Sequence, residues 1–300
     1  MKKVVITGVT GFIGSALAKR LLQSKVTVYG VGRNISRLNE LAAWGDFVPV
    51  VVDFEQYEAL HTQINDSDLD MFWHFAWQGI PHAYDDYNIQ IQNIKIACDA
   101  ARASVELRCK KSTFCSSYSQ EKVALSSGKE SVNPDIYGSS KKCALNMFKA
   151  ILYKCKIPCS NIILPNVYGA GDKLNSAIVF FIRNLLEDKP LRLISGDYKD
   201  DWIDINNLVD GIICAANSGD INTDYYIGNR AVTTFREKLI SMKSALSSKS
   251  ELLFGSYPQN NYVDYSQFDL DALYNDTGFE VTTSFAESIR ETADWIKSIS

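Results

Sequence analysis

Two tyrosines in this sequence stand four positions ahead of a lysine, a spacing that can bring a phenol and an ammonium together. Tyr118 and Lys122 lie in SYSQEK, and Tyr137 and Lys141 lie in IYGSSK. An ammonium beside a phenol favours the phenolate, so such a pair can exchange a proton with a reacting group. Both side chains must then share one face of a helix.

Only the second pair lies in a helical pattern. Positions 136–155 carry an apolar stripe, and residues 133–135 before them supply a stop and an N-cap. Tyr137 and Lys141 are one turn apart on the predicted helix and therefore face the same side. The first pair lies in a polar loop, where a spacing of four gives no shared face. We expect the second pair to react and the tyrosine of the first to be a loop aromatic.

A glycine triplet near the first residue predicts a dinucleotide site, although an ordinary turn is the alternative. ITGVTGFIGSALAKRLL places the three glycines between an apolar strand and an amphipathic helix. Gly8 allows a sharp turn, Gly11 lets the backbone approach a pyrophosphate, and Gly14 lets the helix pack closely on the sheet. The helix N-terminus adds free N–H groups and a positive dipole end. The predicted cofactor residues of this loop are Gly8, Thr10, Gly11, Phe12, Ile13 and Gly14.

The end of the second predicted strand indicates which dinucleotide binds. NAD(H) sites usually have an Asp or Glu there, bonded to the ribose 2′-OH. Here the strand ends at Gly32, Arg33 follows, and Arg37 lies on the next predicted helix. Guanidiniums can bind a 2′-phosphate that no carboxylate repels, so NADP(H) is favoured over NAD(H). Arg33 could otherwise be a solvated loop residue.

Asp53 and Phe54, at the end of the third predicted strand, are further cofactor candidates. The Asp53 carboxylate could accept a hydrogen bond from the adenine amino group. The alternative is that Asp53 is the helix N-cap of the next segment.

The elements that must position these residues alternate between strand and helix. Apolar strands of the kind buried in parallel sheets are predicted at 3–8, 27–32, 47–53, 71–76, 112–117 and 160–167. Helices are predicted at 12–23, 36–43, 55–64, 84–104 and 136–155. This alternation predicts an α/β fold, a Rossmann-type doubly wound parallel sheet.

After about residue 166 the rhythm changes, which predicts a smaller C-terminal α/β substrate domain. Helices are expected at 174–188, 206–217, 234–246 and 284–298, and strands at 191–195 and 223–228. We place the dinucleotide-binding domain at 1–166, rejoined by a segment near 201–228, and the substrate-binding domain mainly at 167–300.

Composition limits the function classes. A net charge of −4 and a pI near 5.5 argue against a nucleic-acid binder. The first apolar run is too short for a signal peptide and no later run could span a membrane, so we expect a cytoplasmic protein. The seven cysteines form no CxxC pair and the three histidines have no metal-ligand spacing. Reduced thiols and no metal centre are expected.

Taken together, the motifs resemble the extended short-chain dehydrogenase/reductases, the family of nucleotide-sugar epimerases, dehydratases and reductases. The likeness runs almost end to end, through TGVTGFIG, HFAW (74–77), CSS (115–117), YGSSK (137–141), NVYGAGD (166–172) and DWIDINNLVDGI (201–212). It implies that the catalytic residues are Ser117, Tyr137 and Lys141. The further cofactor contacts are Phe75, Ala76, Trp77, Ser116, Tyr137, Lys141 and Leu164, and the substrate contacts are Asn166 and Ser117.

In the implied chemistry Ser117 hydrogen-bonds a substrate carbonyl, and Tyr137 donates a proton as hydride arrives from the cofactor. Because a free tyrosine has a pKa near 10, work near pH 7 requires a lowering of about three units, which we expect from Lys141 with help from the positive nicotinamide of the oxidised cofactor. Taken alone, Ser117 would be a strand-end hydroxyl that caps the backbone.

Two positions depart from the family pattern. Many relatives have an arginine before the aspartate that matches Asp201, and it reaches the substrate diphosphate; here that position is Asp200. A second such arginine is often found in the segment that here reads GSYPQNNYVDYSQ, without a basic residue. A nucleoside-diphosphate sugar is still the expected substrate. Basic residues that could substitute, each also readable as a surface charge, are Arg183, Lys189, Arg192 and Lys199.

Three functions fit these residues. The first is an NADPH-dependent reductase of a 4-keto-6-deoxy nucleotide sugar, because a reductase that consumes hydride suits NADPH. The second is a redox-neutral epimerase that retains NAD; a dehydratase is disfavoured because Tyr118 and Ser119 occupy the place of its usual Asp-Glu pair. The third is a non-catalytic NADP-binding regulator, against which the intact Ser/Tyr/Lys set argues. The resemblance also suggests a homodimer through the helices near 84–104 and 136–155.

Overall fold

The computed structural model describes residues 1–66, 68–80, 82–125, 134–172, 176–219 and 222–299. Its strands are β1 (Lys3–Thr7), β2 (Thr27–Gly32), β3 (Phe47–Val51), β4 (Met71–His74), β5 (Ser112–Ser117), β6 (Lys122–Ala124), β7 (Cys159–Leu164), β8 (Asn166–Tyr168), β9 (Leu191–Arg192), β10 (Trp202–Asp204), β11 (Asp224–Tyr226), β12 (Leu252–Leu253) and β13 (Asn261–Val263). Its α-helices are α1 (Phe12–Gln23), α2 (Ile35–Ala42), α3 (Tyr87–Glu106), α4 (Ile136–Lys154), α5 (Ala177–Leu186), α6 (Ile205–Ser218), α7 (Phe235–Ala245), α8 (Ala272–Thr277) and α9 (Phe285–Ser298). 3₁₀ helices cover Phe54–Gln63, Tyr118–Glu121 and Tyr265–Gln267.

The chain divides into two compact units. The first consists of Met1–Gln120, Asp135–Ile163 and Ile212–Tyr225. The second consists of Glu121–Pro134, Leu164–Gly211 and Tyr226–Ser300. No helix within the described ranges is both long enough and apolar enough to cross a membrane.

The first unit is built on a seven-stranded sheet with the order β3-β2-β1-β4-β5-β7-β11. The pairs from β3 to β5 are parallel, and Val5 of β1 is level with Tyr29 of β2 and Phe72 of β4. Strands β4, β5 and β7 are buried along their whole length, so most of their side chains are apolar or small on both faces, with His74 and Asn161 as larger polar exceptions. The predicted Rossmann-type parallel sheet is confirmed.

Helices cover this sheet with their apolar stripes. In α4 the stripe is Leu145, Phe148 and Leu152, all buried, and α4 packs against α3. Asp135 is the N-cap of α4, because its Oδ1 accepts a hydrogen bond from the Gly138 N–H at 3.2 Å. Asn133, the first residue of the predicted stop, lies outside the described residues.

The second unit carries short strand pairs and three packed helices. β8 pairs with β10 and β9 with β12, both parallel, while β6 pairs antiparallel with β13. Helices α5 and α7 both pack against α9. The core between these elements includes Tyr168, Val179, Trp202, Leu239 and Ile289, all buried.

The predicted strand 160–167 is in fact two strands, β7 and β8. Pro165 separates them, because a proline has no N–H to donate to the sheet. The predicted helix 55–64 is the 3₁₀ helix Phe54–Gln63. Strand β10 was not predicted, since three residues leave too short a pattern for detection.

Candidate active site

The glycine loop between β1 and α1 lies where a larger side chain would not fit. Gly8 has φ +70°, and a Cβ there would lie 2.7 Å from the backbone N of Ala76. A Cβ on Gly14 would lie 2.4 Å from the carbonyl oxygen of Gly8, so the helix contacts the turn directly. A Cβ on Gly11 would meet only the Gly8 carbonyl oxygen, at 3.2 Å, and Gly11 is exposed.

The same loop leaves the N-terminus of α1 able to bind an anion. Its N-cap is Gly11, which has no side chain to accept from the first N–H groups, and the first turn has no acidic residue. These N–H groups and the helix dipole favour a negative group such as a pyrophosphate. The exposed backbone at Gly11 and the free helix end therefore fit a dinucleotide.

The residue that follows β2 is of a type, and has an exposure, expected of a site that binds the 2′-phosphate of NADP(H). Gly32 ends the strand, and the exposed guanidinium of Arg33 lies 4.6 Å from the centre of the Phe54 ring. Arg37 is also exposed, in the first turn of α2, and its backbone N–H is held by the N-cap Asn34.

Asp53 is an N-cap, as its alternative reading required. One carboxylate oxygen accepts from the Phe54 N–H at 2.7 Å, and Gln56 completes a capping box. The residue is exposed while it caps the helix. Contact of Asp53 and Phe54 with a cofactor stays a prediction.

The residues after β4 pack beside the glycine loop. The Phe75 N–H donates to the Thr7 carbonyl at 3.2 Å, and Ala76 is buried against Gly8. Trp77 is half-buried, and its Nε1–H donates to Gln90 Oε1 at 3.0 Å.

The end of β5 carries two buried serines. Ser117 Oγ accepts from the Ser119 N–H at 3.2 Å, which is the capping role of its alternative reading. Its hydroxyl also makes a hydrogen bond with Tyr137, which lowers the pKa of that phenol. Ser116 Oγ faces the carbonyl of Ile162 at 3.5 Å. Capping and a contact with Tyr137 therefore coexist in Ser117.

Tyr137 and Lys141 lie on α4, as predicted. The Tyr137 ring packs edge-on against Tyr84 and Trp77, with centroid distances of 5.1 and 6.0 Å. Lys141 Nζ donates to the carbonyl of Cys115 at 2.9 Å and lies 5.9 Å from the centre of the Tyr137 ring. The structure thus brings Ser117, Tyr137 and Lys141 together in the first unit.

Burial shifts the pKa values of both Tyr137 and Lys141. Burial raises the pKa of Tyr137 above its usual value, against the smaller lowering effect of Ser117. Burial also lowers the pKa of Lys141 to about 8. In the protein's own groups, desolvation of the phenol outweighs the hydrogen bond with Ser117, so Tyr137 holds its proton at neutral pH.

The other tyrosine–lysine pair does not share a helix. Tyr118 starts the 3₁₀ helix Tyr118–Glu121, and Lys122 starts strand β6. Where the structure describes the predicted polar loop, it is a 3₁₀ helix followed by strand β6, and β6 forms because it pairs with β13 far along the chain.

Two predicted residues lie in the second unit. Leu164 is buried at the end of β7, and Asn166 begins β8 with its Nδ2 donating to Asp200 Oδ1 at 3.1 Å. The basic residues offered in place of the missing arginine are all exposed: Arg183, Lys189, Arg192 and Lys199.

Comparison with known proteins decides the family. The model of the NAD dependent epimerase/dehydratase family matches residues 4–228. The chain belongs to this family. The resemblance to the extended short-chain dehydrogenase/reductases is thereby confirmed, and the chain is an enzyme of that type.

Two curated proteins, an epimerase and a reductase, are similar to this chain. UDP-glucuronate 4-epimerase 1 of Arabidopsis thaliana is 24% identical over 334 residues, covering 98% of this chain and 76% of that protein. The dTDP-4-dehydro-6-deoxyglucose reductase of Escherichia coli is 22% identical over 268 residues, covering 84% of each. Among solved structures, UDP-glucuronic acid 4-epimerase from Bacillus cereus, in complex with UDP-glucuronic acid and NAD, has a TM-score of 0.79 at 20% identity. That match covers 99% of this chain and all of the other, and it shows the fold alone.

Sequence reasoning about this family member missed the polar residues that hold the loop after β4. Gln90 Oε1 accepts from Trp77 Nε1 and from Ser140 Oγ, and Asn93 bonds the backbone of Gln78 through both N–H and C=O. Both side chains are buried on α3. Polar residues on the buried face of a helix were the available signal.

The histidine of the HFAW motif is buried. His74 Nδ1 lies 2.9 Å from Thr7 Oγ1, while its Nε2 has no hydrogen-bond partner among the described residues. Burial, and then the charge of Lys141, lower the pKa of His74 to about 3, so the ring is neutral. The described residues contain no cluster of three or more potential metal ligands.

Proposed function

We propose that the protein is an NADPH-dependent reductase of a 4-keto-6-deoxy nucleotide sugar, with Tyr137 as general acid. The grouping of Ser117, Tyr137 and Lys141 supports the chemistry, because a hydroxyl, a protonated phenol and an ammonium suit the reduction of a carbonyl. The similarity to a dTDP-4-dehydro-6-deoxyglucose reductase supports the substrate class.

The protein's own residues would act as follows. The Ser117 hydroxyl donates a hydrogen bond to the substrate carbonyl, and the Tyr137 phenol gives its proton to that oxygen. The bound cofactor supplies the hydride. The phenolate left on Tyr137 is stabilised by the Lys141 ammonium, and takes up a proton from water before the next turnover.

One observation carries the choice of NADPH, and with it the choice of a reductase. Strand β2 ends in Gly32, and the next side chain is the exposed Arg33 lying over the Phe54 ring. A guanidinium held in this way can pair with a 2′-phosphate, and the strand end has no carboxylate to repel it. Cells keep NADPH for reductions, so the preference favours net hydride transfer over a redox-neutral reaction.

The test is turnover of dTDP-4-keto-6-deoxyglucose, followed at the nicotinamide absorbance band, with NADPH and NADH compared at equal concentrations. The proposal expects NADPH to be oxidised in proportion to the deoxysugar nucleotide formed, and NADH to be used poorly. Oxidation of neither cofactor with any 4-keto nucleotide sugar would refute the reductase. Such a reductase would work in the cytoplasm, where both substrates are dissolved.

A nucleotide-sugar epimerase that retains NAD is the second candidate, and the 4-epimerases among the similar proteins favour it. An epimerase would retain bound NAD through purification, and it would convert UDP-glucose or UDP-glucuronate without added cofactor. Analysis of the nucleotide released on denaturation separates the two candidates.

The predicted homodimer has support in the exposed side chains of two helices. Tyr87 and Ile91 of α3 are each 61% exposed, and Met147 of α4 is 47% exposed. We infer that these apolar groups are covered by a second copy. Light scattering should give twice the monomer mass, and Ile91→Asp should reduce it to the monomer mass.

A further inference from the structure

In the second unit a carboxylate holds the amide of Asn166. Asp200 Oδ1 accepts from Asn166 Nδ2 at 3.1 Å, and Asp200 Oδ2 accepts from Trp202 Nε1 at 2.8 Å. The backbone fixes this arrangement, because Asn166 of β8 is level with Trp202 of β10 and its N–H donates to the carbonyl of Asp201 at 3.1 Å. With its nitrogen toward Asp200, the amide has its carbonyl oxygen on the opposite edge.

The charged groups around Asp200 give the surroundings of Asn166 a negative electrostatic potential. Asp201 next to it is fully buried, and accepts from Tyr226 Oη and from both nitrogens of Asn229. A cation close to this pair is Lys238 of α7, whose Nζ is 3.9 Å from Asp201 Oδ1. Two carboxylates and one ammonium leave a net charge of −1 when both acids are ionised, which opposes a phosphate group.

The ionised carboxylate also determines which way the amide points. A carboxylate can only accept, so it selects the orientation in which Asn166 presents N–H to it. A protonated Asp200 could instead donate to Asn166 Oδ1, and the amide could then reverse. Burial, followed by the charge of Asp201, raises the pKa of Asp200 to about 7, while Trp202, Lys238 and Asn166 oppose the rise. Tyr265, in the 3₁₀ helix after β13, also interacts electrostatically with Asp200.

We propose that Asp200 is a positioning residue that keeps the Asn166 amide oxygen directed at the substrate and so selects a donor group there, a sugar hydroxyl or N–H, over a phosphate oxygen. This rests on the proposed function and on the predicted contact of Asn166 with the sugar. Asp200 thereby acts through Asn166 and takes no part in proton transfer to the carbonyl.

Asp200→Asn is the decisive change because it keeps the size of the side chain. The new amide has one acceptor oxygen for two donors, Trp202 Nε1 and Asn166 Nδ2, so one of them loses its partner or the Asn166 amide reverses. Asp197→Asn is the matched control: Asp197 is an exposed carboxylate on the same loop, paired with Arg236 at 3.2 Å.

Nuclear magnetic resonance of protein labelled with [¹⁵N]asparagine tests the positioning without any turnover. The side-chain signal of Asn166, assigned by its absence in Asn166→Asp, should titrate between pH 5.5 and 8.5 in the wild type and in Asp197→Asn. It should not titrate in Asp200→Asn. A signal that titrates in Asp200→Asn as it does in the wild type, or one that has the same position in both proteins at pH 8.5, overturns the proposal.

Kinetics with NADPH and the 4-keto nucleotide sugar test the selection of a donor group. Asp200→Asn should raise KM about tenfold and leave kcat within about twofold, because ground-state contacts are lost and the acid is intact. Equal KM values in wild type and variant overturn the selection. If no form turns over, the proposed function has failed, and the titration of the Asn166 signal still decides whether Asp200 positions it.

Discussion

The ammonium of Lys141 lies 3.8 Å from the centre of the Trp77 ring, in a place where the lysine side chain is 4% exposed. An aromatic face and the Cys115 carbonyl thus replace the water that the cation has lost. This replacement is incomplete, since burial still lowers the pKa of Lys141 to about 8. Lys141 is therefore charged at neutral pH and becomes neutral in mildly alkaline solution.

The proposed reduction should slow above pH 8. Deprotonated Lys141 no longer stabilises the phenolate that forms when Tyr137 gives up its proton, so kcat should fall about tenfold for each further pH unit. The measurement is kcat at saturating substrate and cofactor from pH 6 to 10. Lys141→Met should be slow and without this alkaline limb. A wild-type kcat constant up to pH 9.5 would contradict the role of Lys141.

Replacing Lys141 should stabilise the fold while it removes activity. The folded pKa of about 8 lies below the ordinary 10.5, so between these values the unfolded chain binds more protons and stability rises with pH. Below pH 8 the charged lysine therefore costs stability in full. Lys141→Met should raise the free energy of unfolding by about 2 kcal/mol at pH 7, and by less at pH 10.

Chemical denaturation at pH 7 and pH 10 measures this effect. Lys142→Met, at the exposed neighbouring position, is the control and should change stability by no more than about 0.5 kcal/mol. A loss of stability in Lys141→Met at pH 7 would mean that the bond to Cys115 outweighs desolvation.

Substitution of Tyr137 and of Tyr118 by phenylalanine should have very different effects on activity. Tyr137→Phe removes the proton donor but keeps the ring between Tyr84 and Trp77, so kcat should fall about 10³-fold with little change in folding. Tyr118→Phe should keep most of the activity. Steady-state kinetics and thermal unfolding of both variants provide the comparison, and loss of turnover in Tyr118→Phe alone would reverse the assignment.

The sequence alone could predict which of the two tyrosines pairs with its lysine, because the prediction depends on local helical periodicity. The stripe of Leu145, Phe148 and Leu152 defines the helix, and the helix fixes the relation of Tyr137 to Lys141. The pKa of Tyr137 could not be predicted from the sequence alone. Burial by Trp77 and Tyr84 depends on chain segments far from α4, and in the protein's own groups this burial raises the pKa of Tyr137.

The sheet was predictable for the same local reason, since strands buried on both faces are continuous apolar or small runs. Short strands such as β10 have no pattern of their own and form because β8 supplies a partner. Gln90 and Asn93 were missed because their role consists of hydrogen bonds to Trp77 and Gln78, which the fold brings close to them. Long-range pairing thus limits what one sequence reveals.

Arg33 should set the preference for NADPH. In Arg33→Ala the 2′-phosphate loses a charge-assisted pair, so the Kd of NADPH should rise about tenfold to 100-fold, while that of NADH stays the same. Fluorescence titration of both cofactors provides the values. Arg102→Ala, which removes another exposed arginine, is the control. An equal loss for both cofactors would show that Arg33 supports the fold of the site instead.

Gly11 and Gly14 should respond differently to alanine. A Cβ at Gly14 would lie 2.4 Å from the Gly8 carbonyl oxygen, a backbone atom, so Gly14→Ala should cost about 2 kcal/mol of stability and abolish cofactor binding. At Gly11 the Cβ meets only that same oxygen, at 3.2 Å, and φ is −77°. Gly11→Ala should therefore cost no more than about 1 kcal/mol.

The new methyl of Gly11→Ala should still weaken cofactor binding about tenfold, because it stands where the backbone would approach the pyrophosphate. Thermal unfolding and cofactor titration of the two variants separate the effects. If Gly11→Ala binds NADPH like the wild type, the phosphates do not lie against this loop. In that case the N-terminus of α1 would have to be abandoned as the cofactor site, whatever the stability of Gly14→Ala.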